Sequence, residues 1–515
     1  MRKKLNKNLY RAILILTFLA VNAMIIFGLS SVWGFLNTGA SRSTMLHTEI
    51  KSRRMYLPEV VWDTSAYKGR TMEYQSLQEI ERDYLNGWYV KNLALQSNTT
   101  FGVEDYYTDS ARVNIYNIID FNEAHDLSFT TTTTNHHPKL LFYSADGQLV
   151  VFEDRRVRQF RQTYSEEKLI DEEIDTSSYK VMMLLEDGFW RVRHIQQVSS
   201  DFENEEVEVN AAWHIKGDQL YFKNRKFQIK GMNYYPQDSP WDMYGENFEV
   251  EVIDNDFQLL KNEGLNTLRL FVPYEDFGKA GIIPAKIEKL RKVMDAANSN
   301  DLKVILTLFD FYGDYSVMDW TLTHEHARQI VDEFKDHPAL MAWDLKNEPD
   351  LDFDSRGEAL VKRWLEEMAF QVKKIDHKHP VTIGWSSAKA AENLKETVDL
   401  VSYHFYEPME NFKNSHQKLT EKVSKPIVVQ EFGLSSYNGL WNPFGADVTE
   451  QAEYHKYMQQ QFSNSNIHFV SWTLYDFPEI PSEVAGSLPW RKKKQTAFGF
   501  IDLAGNEKPA FEFIE

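Results

Sequence analysis

Eight short apolar runs alternate with segments of helical periodicity across residues 212–515, and that rhythm leaves few architectures open to the C-terminal part of the chain. A hairpin over Leu220–Ile229 feeds a first strand ending at Gly231-Met232-Asn233-Tyr234-Tyr235. The later strands are read at Asn266–Phe271, Val304–Phe309, Ala339–Asn347, Val381–Trp385, Leu400–Tyr406, Ile427 into Glu431, and Phe469–Trp472. Helices are read between them at Ile253–Asn262, Ile287–Asn298, His324–Phe334, Gly357–Ile375, Ala388–Leu394, Met409–Leu419 and Glu450–Phe462. Strand–helix units repeated eight times predict an α/β fold, a closed (β/α)8 TIM barrel, whose chemistry belongs at the carboxyl ends of its strands.

Two of those ends carry a glutamate. Trp343-Asp344-Leu345-Lys346-Asn347-Glu348-Pro349 stops at a proline that cannot donate to a sheet ladder, which leaves Glu348 just past the fourth strand. Val429-Gln430-Glu431-Phe432-Gly433 ends the seventh in Glu431, with Gly433 opening a turn. Facing carboxyl groups need not ionise together: burial and the neighbour's charge can keep one protonated and leave the other anionic. That pair suits glycoside cleavage, the acid protonating the leaving oxygen while the anion attacks the anomeric carbon. Such a reaction requires neither metal nor cofactor, and none is expected.

The two glutamate motifs, in this order on these strands, resemble the retaining glycoside hydrolases of the (β/α)8 superfamily (clan A) that includes the family 5 cellulases and mannanases and the family 2 β-glycosidases. The resemblance covers residues 212–515 and implies Glu348 as acid/base and Glu431 as nucleophile. It further implies that Asn347 bonds the sugar 2-hydroxyl and that Arg269 keeps the nucleophile ionised. His404 and Tyr406 would form the sixth-strand pair, with Tyr406 on the nucleophile, and Trp472 the floor under the reacting sugar. Asn233 falls in a first-strand segment similar to that of the same families. The third strand departs from the family 5 pattern: a histidine often near its end is replaced by Phe309-Asp310-Phe311-Tyr312, where Asp310 binds a sugar hydroxyl or caps the next turn. Trp241, Trp385, Trp441, Tyr475 and Trp490 fall in strand-end loops, where aromatic faces stack on sugars or simply pack. His324-Glu325-His326 lacks the i, i+4 spacing of a helical zinc site and reads as a helix face. Arg491-Lys492-Lys493-Lys494 reads as a solvated loop, with contact to an acidic polysaccharide as the alternative.

The 515-residue chain is too long for one ordinary domain. Residues 1–40 combine a basic start, Arg2 to Arg11, with an uncharged run from Ala12 to Leu36, long enough to span a bilayer. An uncleaved single-pass anchor is expected, its start in the cytoplasm and the remainder extracytoplasmic, periplasmic or at the cell surface; the alternative is a signal peptide cleaved at Thr38-Gly39-Ala40. Residues 41–70 read as a stalk, and 71–200 as a smaller α+β domain. There, helical spacing over Glu73–Leu95 gives way to β-branched strands and Asp-Gly turns, a pattern that resembles the NTF2-like cone. That domain would serve as a spacer or as a docking surface for a protein partner. His136-His137 before Pro138 reads as a loop pair rather than a metal site. Asp201–Glu208 is acidic and marks the linker at 201–211. A formal charge of −19 excludes a nucleic-acid partner, and the absence of cysteine excludes disulfides and thiolate chemistry. The expected partner is therefore a poly- or oligosaccharide substrate. The alternatives are a transglycosylase using the same residues and a carbohydrate-binding or polysaccharide-synthesis accessory protein with little turnover.

Overall fold

The computed structural model describes residues 56–199, 211–486 and 488–515, with three isolated positions near the start. The expected anchor at Ala12–Leu36 lies almost entirely outside the described residues. Among those described, no helix is long and apolar enough to cross a membrane. The chain divides into two compact units, at Ser200 and Asp201, and residues Arg54–Glu59 go with the second. The expected stalk is thus partly replaced by packing: Leu57 N–H donates to Thr321 Oγ1 at 3.1 Å, and Glu59 accepts from Lys374 Nζ at 2.6 Å.

The first unit opens on a short strand, Lys68–Gly69, and a long helix, Tyr74–Ser97, whose buried face carries Ile80, Tyr84 and Trp88. A second helix, Asp109–Ala124, precedes an antiparallel meander of four strands, Leu127–Tyr143, Leu149–Ser165, Lys168–Glu186 and Phe189–Val198. This is the α+β order expected, but the strands are longer than their sequence suggests. His136, His137 and Pro138 lie inside the first strand, not in a loop. Register shifts on either side of Asn135 and His137 accommodate the irregular stretch. His136 is fully buried because its ring is used at both nitrogens, by Asp154 at 2.6 Å and Thr133 at 2.8 Å.

The second unit is a closed barrel of eight parallel strands. In order they are β1 (Lys230–Asn233), β2 (Thr267–Pro273), β3 (Lys303–Asp310), β4 (Leu340–Asn347), β5 (Val381–Trp385), β6 (Val401–Phe405), β7 (Ile427–Phe432) and β8 (His468–Ser471). Strands β2, β3 and β7 are buried at every position, which is why they read as continuous apolar runs. The expected helix at Ala388–Leu394 is only a 3-10 turn, Ala390–Glu392. A three-stranded hairpin sheet over Trp213–Lys226 precedes β1. Trp213 and Leu220 join Ile305, Met341, Leu400, Val428 and Val470 in one apolar cluster at the amino ends of the strands. That plug closes the bottom of the barrel and leaves its carboxyl face open.

Candidate active site

The interior at the carboxyl face is polar and organised by one guanidinium. Arg269, on β2, is completely buried. It donates to Asp344 Oδ2 from Nε at 3.0 Å and Nη2 at 2.7 Å, and to Glu431 Oε1 from Nη1 at 2.5 Å. The same side chain reaches Asn347 Oδ1 at 2.9 Å and Asn233 Oδ1 at 3.2 Å. Burial alone would weaken its charge, yet Asp344 and Glu431 hold its pKa above the ordinary arginine value. Room for this side chain depends on Gly384, where a Cβ would lie 2.9 Å from Nη2. Asp344 accepts two further bonds, from Thr307 Oγ1 at 2.7 Å and Gly384 N–H at 3.0 Å.

Glu348 and Glu431 come from β4 and β7 to the same place. Glu348 adopts φ 44° and ψ 52°, a left-handed conformation uncommon outside glycine. Its N–H donates to Gly384 O at 2.7 Å and the Pro349–Asp352 turn follows at once. This strained bend turns the carboxyl group back over the barrel mouth. Glu431 stays in the strand, in register with His404 across a β-bulge. Its Oε2 accepts from the Tyr406 hydroxyl at 2.9 Å. His404 Nδ1 lies 2.8 Å from Glu348 Oε1 and 3.5 Å from Glu431 Oε2. A carboxylate oxygen of each glutamate and a ring nitrogen of His404 all fall within 4.8 Å of one another.

Sequence reasoning expected burial to keep one acid protonated, and the structure corrects it for Glu348. Burial does push that carboxyl group up. The His404 hydrogen bond, with the charges of His404, Arg269 and Lys346, outweighs it and holds Glu348 below the usual glutamate value. The ion-pair network thus decides the protonation, not the apolar surroundings. These three side chains are also of metal-ligand type. Here both oxygens of Glu431 already accept hydrogen bonds, and a cation would sit against the Arg269 guanidinium, so the trio is a poor metal site.

A cavity of about 490 Å³ opens over the two carboxylates. Tyr235, Trp241, Phe271, Tyr406 and Trp472 give it aromatic walls, and Asp310, Lys346, Asn347 and Asp352 line its β3–β4 side. Four of the expected substrate contacts, Asn347, Tyr406, Trp472 and Asp310, therefore face the cavity. Arg269, His404 and Asn233 do not; each is buried beneath it. Asn233 instead ties strands together, its Nδ2 donating to Gln430 O at 2.9 Å and Ser471 O at 3.1 Å. Of the five loop aromatics, only Trp241 lines the cavity, 6.0 Å from the Trp472 ring. Trp385 is core, Tyr475 bonds Asp256, and Trp441 and Trp490 stand half-exposed elsewhere. His324 and His326 lie on a helix, but buried, and His326 bonds backbone carbonyls of Lys279 and Leu308. Arg491–Lys494 is helical rather than a loop, and Lys494 reaches the cavity rim. Asp344 and Lys346 were missed by sequence reasoning; a charged residue inside an otherwise apolar strand was the available signal.

The family model described as Cellulase (glycosyl hydrolase family 5) matches residues 221–477. The barrel is a glycosyl hydrolase family 5 domain. Around this domain the chain is 24% identical over 299 residues to β-glucuronidase of Homo sapiens, covering 52% of this chain and 42% of that one. It is 29% identical over 325 residues to mannan endo-1,4-beta-mannosidase 2 of Oryza sativa, covering 46% of this chain and 71% of that one. The chain spans less than half the length of the β-glucuronidase. Among solved structures, a GH2 β-galacturonidase from Eisenbergiella tayi superposes at a TM-score of 0.47 with 16% identity, over 75% of this chain and 70% of that one. The glycosyl hydrolase domain thus has Glu348 and Glu431 at the mouth of its barrel, above the buried Arg269–Asp344 pair.

Proposed function

We propose that this chain is a retaining β-glycosidase that hydrolyses β-linked glycans by double displacement, with Glu431 as nucleophile and Glu348 as acid/base. The observation that carries this is the spacing of the two carboxylates, with oxygens within 4.8 Å in one open cavity. Retaining enzymes hold the pair about 5–5.5 Å apart, whereas inverting ones need roughly 6.5–9.5 Å to admit a water. Arg269 and Tyr406 leave Glu431 fixed with its oxygens toward the cavity. Asn347, whose amide oxygen is taken by Arg269, presents its NH2 to a sugar hydroxyl. Glu348, held by His404 at 2.8 Å, passes a proton to the leaving oxygen in the first step and, as the carboxylate, activates the water of the second. Trp472 and Trp241 supply the apolar platform on which the ring faces of a sugar stack.

The similarity to mannanases and β-glucuronidases supports a β-glycan substrate. The uncharged run Ala12–Leu36 supports an anchored enzyme that works outside the membrane, with the first unit, an NTF2-like module by element order, as spacer or docking surface. The test is a screen of the purified chain against chromogenic β-glycosides and polysaccharides, with the first-formed anomer followed by NMR. The β-anomer is expected; release of the α-anomer, or no turnover, would overturn the reading.

A further inference from the structure

Two cavity residues have no part in the displacement chemistry. Asp310, at the tip of β3, and Lys346, one residue before Asn347 on β4, both line the cavity and are about nineteen-twentieths buried. Asp310 Oδ2 accepts from the Tyr235 hydroxyl at 3.3 Å, and Oδ1 accepts no hydrogen bond among the described residues. Lys346 Nζ lies 3.3 Å from Asn347 O and 3.5 Å from Asp352 Oδ2, which leaves at least one N–H unused. Asp352 is itself fixed by the Tyr315 hydroxyl at 2.6 Å. A free acceptor and a free donor thus line one cavity from the ends of neighbouring strands.

We propose that Asp310 and Lys346 determine specificity by pinching adjacent hydroxyls of a neutral sugar, and that they exclude uronic acids. This rests on the glycosidase reading and names its substrate class. A hydroxyl both donates and accepts, so two neighbouring ones satisfy Asp310 and Lys346 at once. A substrate carboxylate can only accept. It would meet Asp310 without a proton to offer, and would compete with Asp352 for Lys346. Among the described residues that line the cavity, the carboxylates Asp310, Glu348, Asp352 and Glu431 outnumber the cations Lys346 and Lys494.

The test measures binding and turnover separately on the full chain in detergent. Isothermal titration compares β-1,4-mannotetraose with β-1,4-tetramannuronate, and cellotetraose with its C6-oxidised counterpart, on Glu348→Gln protein so that nothing is consumed. At least one neutral oligosaccharide is expected to bind about tenfold or more tightly than its uronate, as for a site built to bond a hydroxyl. Asp310→Asn and Lys346→Met, added singly, are expected to weaken the neutral ligand about fivefold or more and to narrow that gap. Uronate binding as tight as neutral binding, or variants of unchanged melting temperature that leave the ratio unmoved, would overturn the inference. Failure of the unsubstituted chain to turn over any glycoside it binds would instead overturn the glycosidase reading.

Discussion

Replacing Arg269 by methionine tests the electrostatic core of the site. The change removes every donor that Arg269 offers to Asp344 and Glu431 while keeping a side chain of similar length. Asp344 retains Thr307 and Gly384, and Glu431 retains Tyr406, so neither carboxylate is left without a bond. Breaking a buried pair by removing one partner costs roughly 3–5 kcal/mol, and the surviving donors place this case near the lower end. At about 2 °C or slightly more per kcal/mol for a domain of this size, the barrel should melt roughly 6–10 °C lower. A hydrogen bond to a charged group contributes about 1.5–3 kcal/mol, so kcat/KM should fall by roughly 10- to 150-fold beyond any loss of folded protein. Arg269→Lys keeps the charge without the planar fork and should lie between. The assays are differential scanning calorimetry and initial rates on a chromogenic β-glycoside at a temperature where both proteins are folded. A variant that melts within 2 °C of the parent and keeps kcat/KM within about threefold would refute the claim that Arg269 organises the site.

Further expectations follow from single contacts. Glu348→Gln should slow glycosides with poor leaving groups by about 10²–10⁴-fold while sparing those whose leaving group needs no proton; equal loss on both would exclude the acid role. Tyr406→Phe deletes the 2.9 Å bond to Glu431 and should lower kcat by roughly tenfold or more with little change in melting temperature. Burial raises Asp310 from 3.8 to about 6, above its unfolded value, so its ionisation weakens the fold as pH climbs through that window and not below it. At 1.36 kcal/mol per pH unit this amounts to about 3 kcal/mol, so Asp310→Asn should gain in melting temperature over the parent between pH 4 and 7, by calorimetry. A constant difference across that range would contradict it.

The barrel was legible because its strands are buried on both faces. Runs such as Val304–Phe309 and Val381–Trp385 then carry no charged residue, and the flanking helices supply the alternation. Glu348 and Glu431 were legible because each ends such a run. What the sequence hides is direction and depth. Nothing local to Asn233, Arg269 or His404 says that these side chains lie under the cavity rather than in it; that depends on eight strands closing. The same closure brings Lys346 and Asp310 together from separate strands. In the first unit the miss had another cause. His136-His137-Pro138 carries strong loop signals, but bulges and the Asp154 carboxylate, 18 residues away, keep the strand continuous.

The most direct measurement is to trap the intermediate. The chain is incubated with an activated 2-deoxy-2-fluoro analogue of its best β-glycoside, digested and mapped by mass spectrometry. One fluorosugar bonded to Glu431, with activity returning as it is released, is the predicted result. A sugar on another residue, or no adduct from a preparation that turns over the parent glycoside with inversion, would contradict the double displacement.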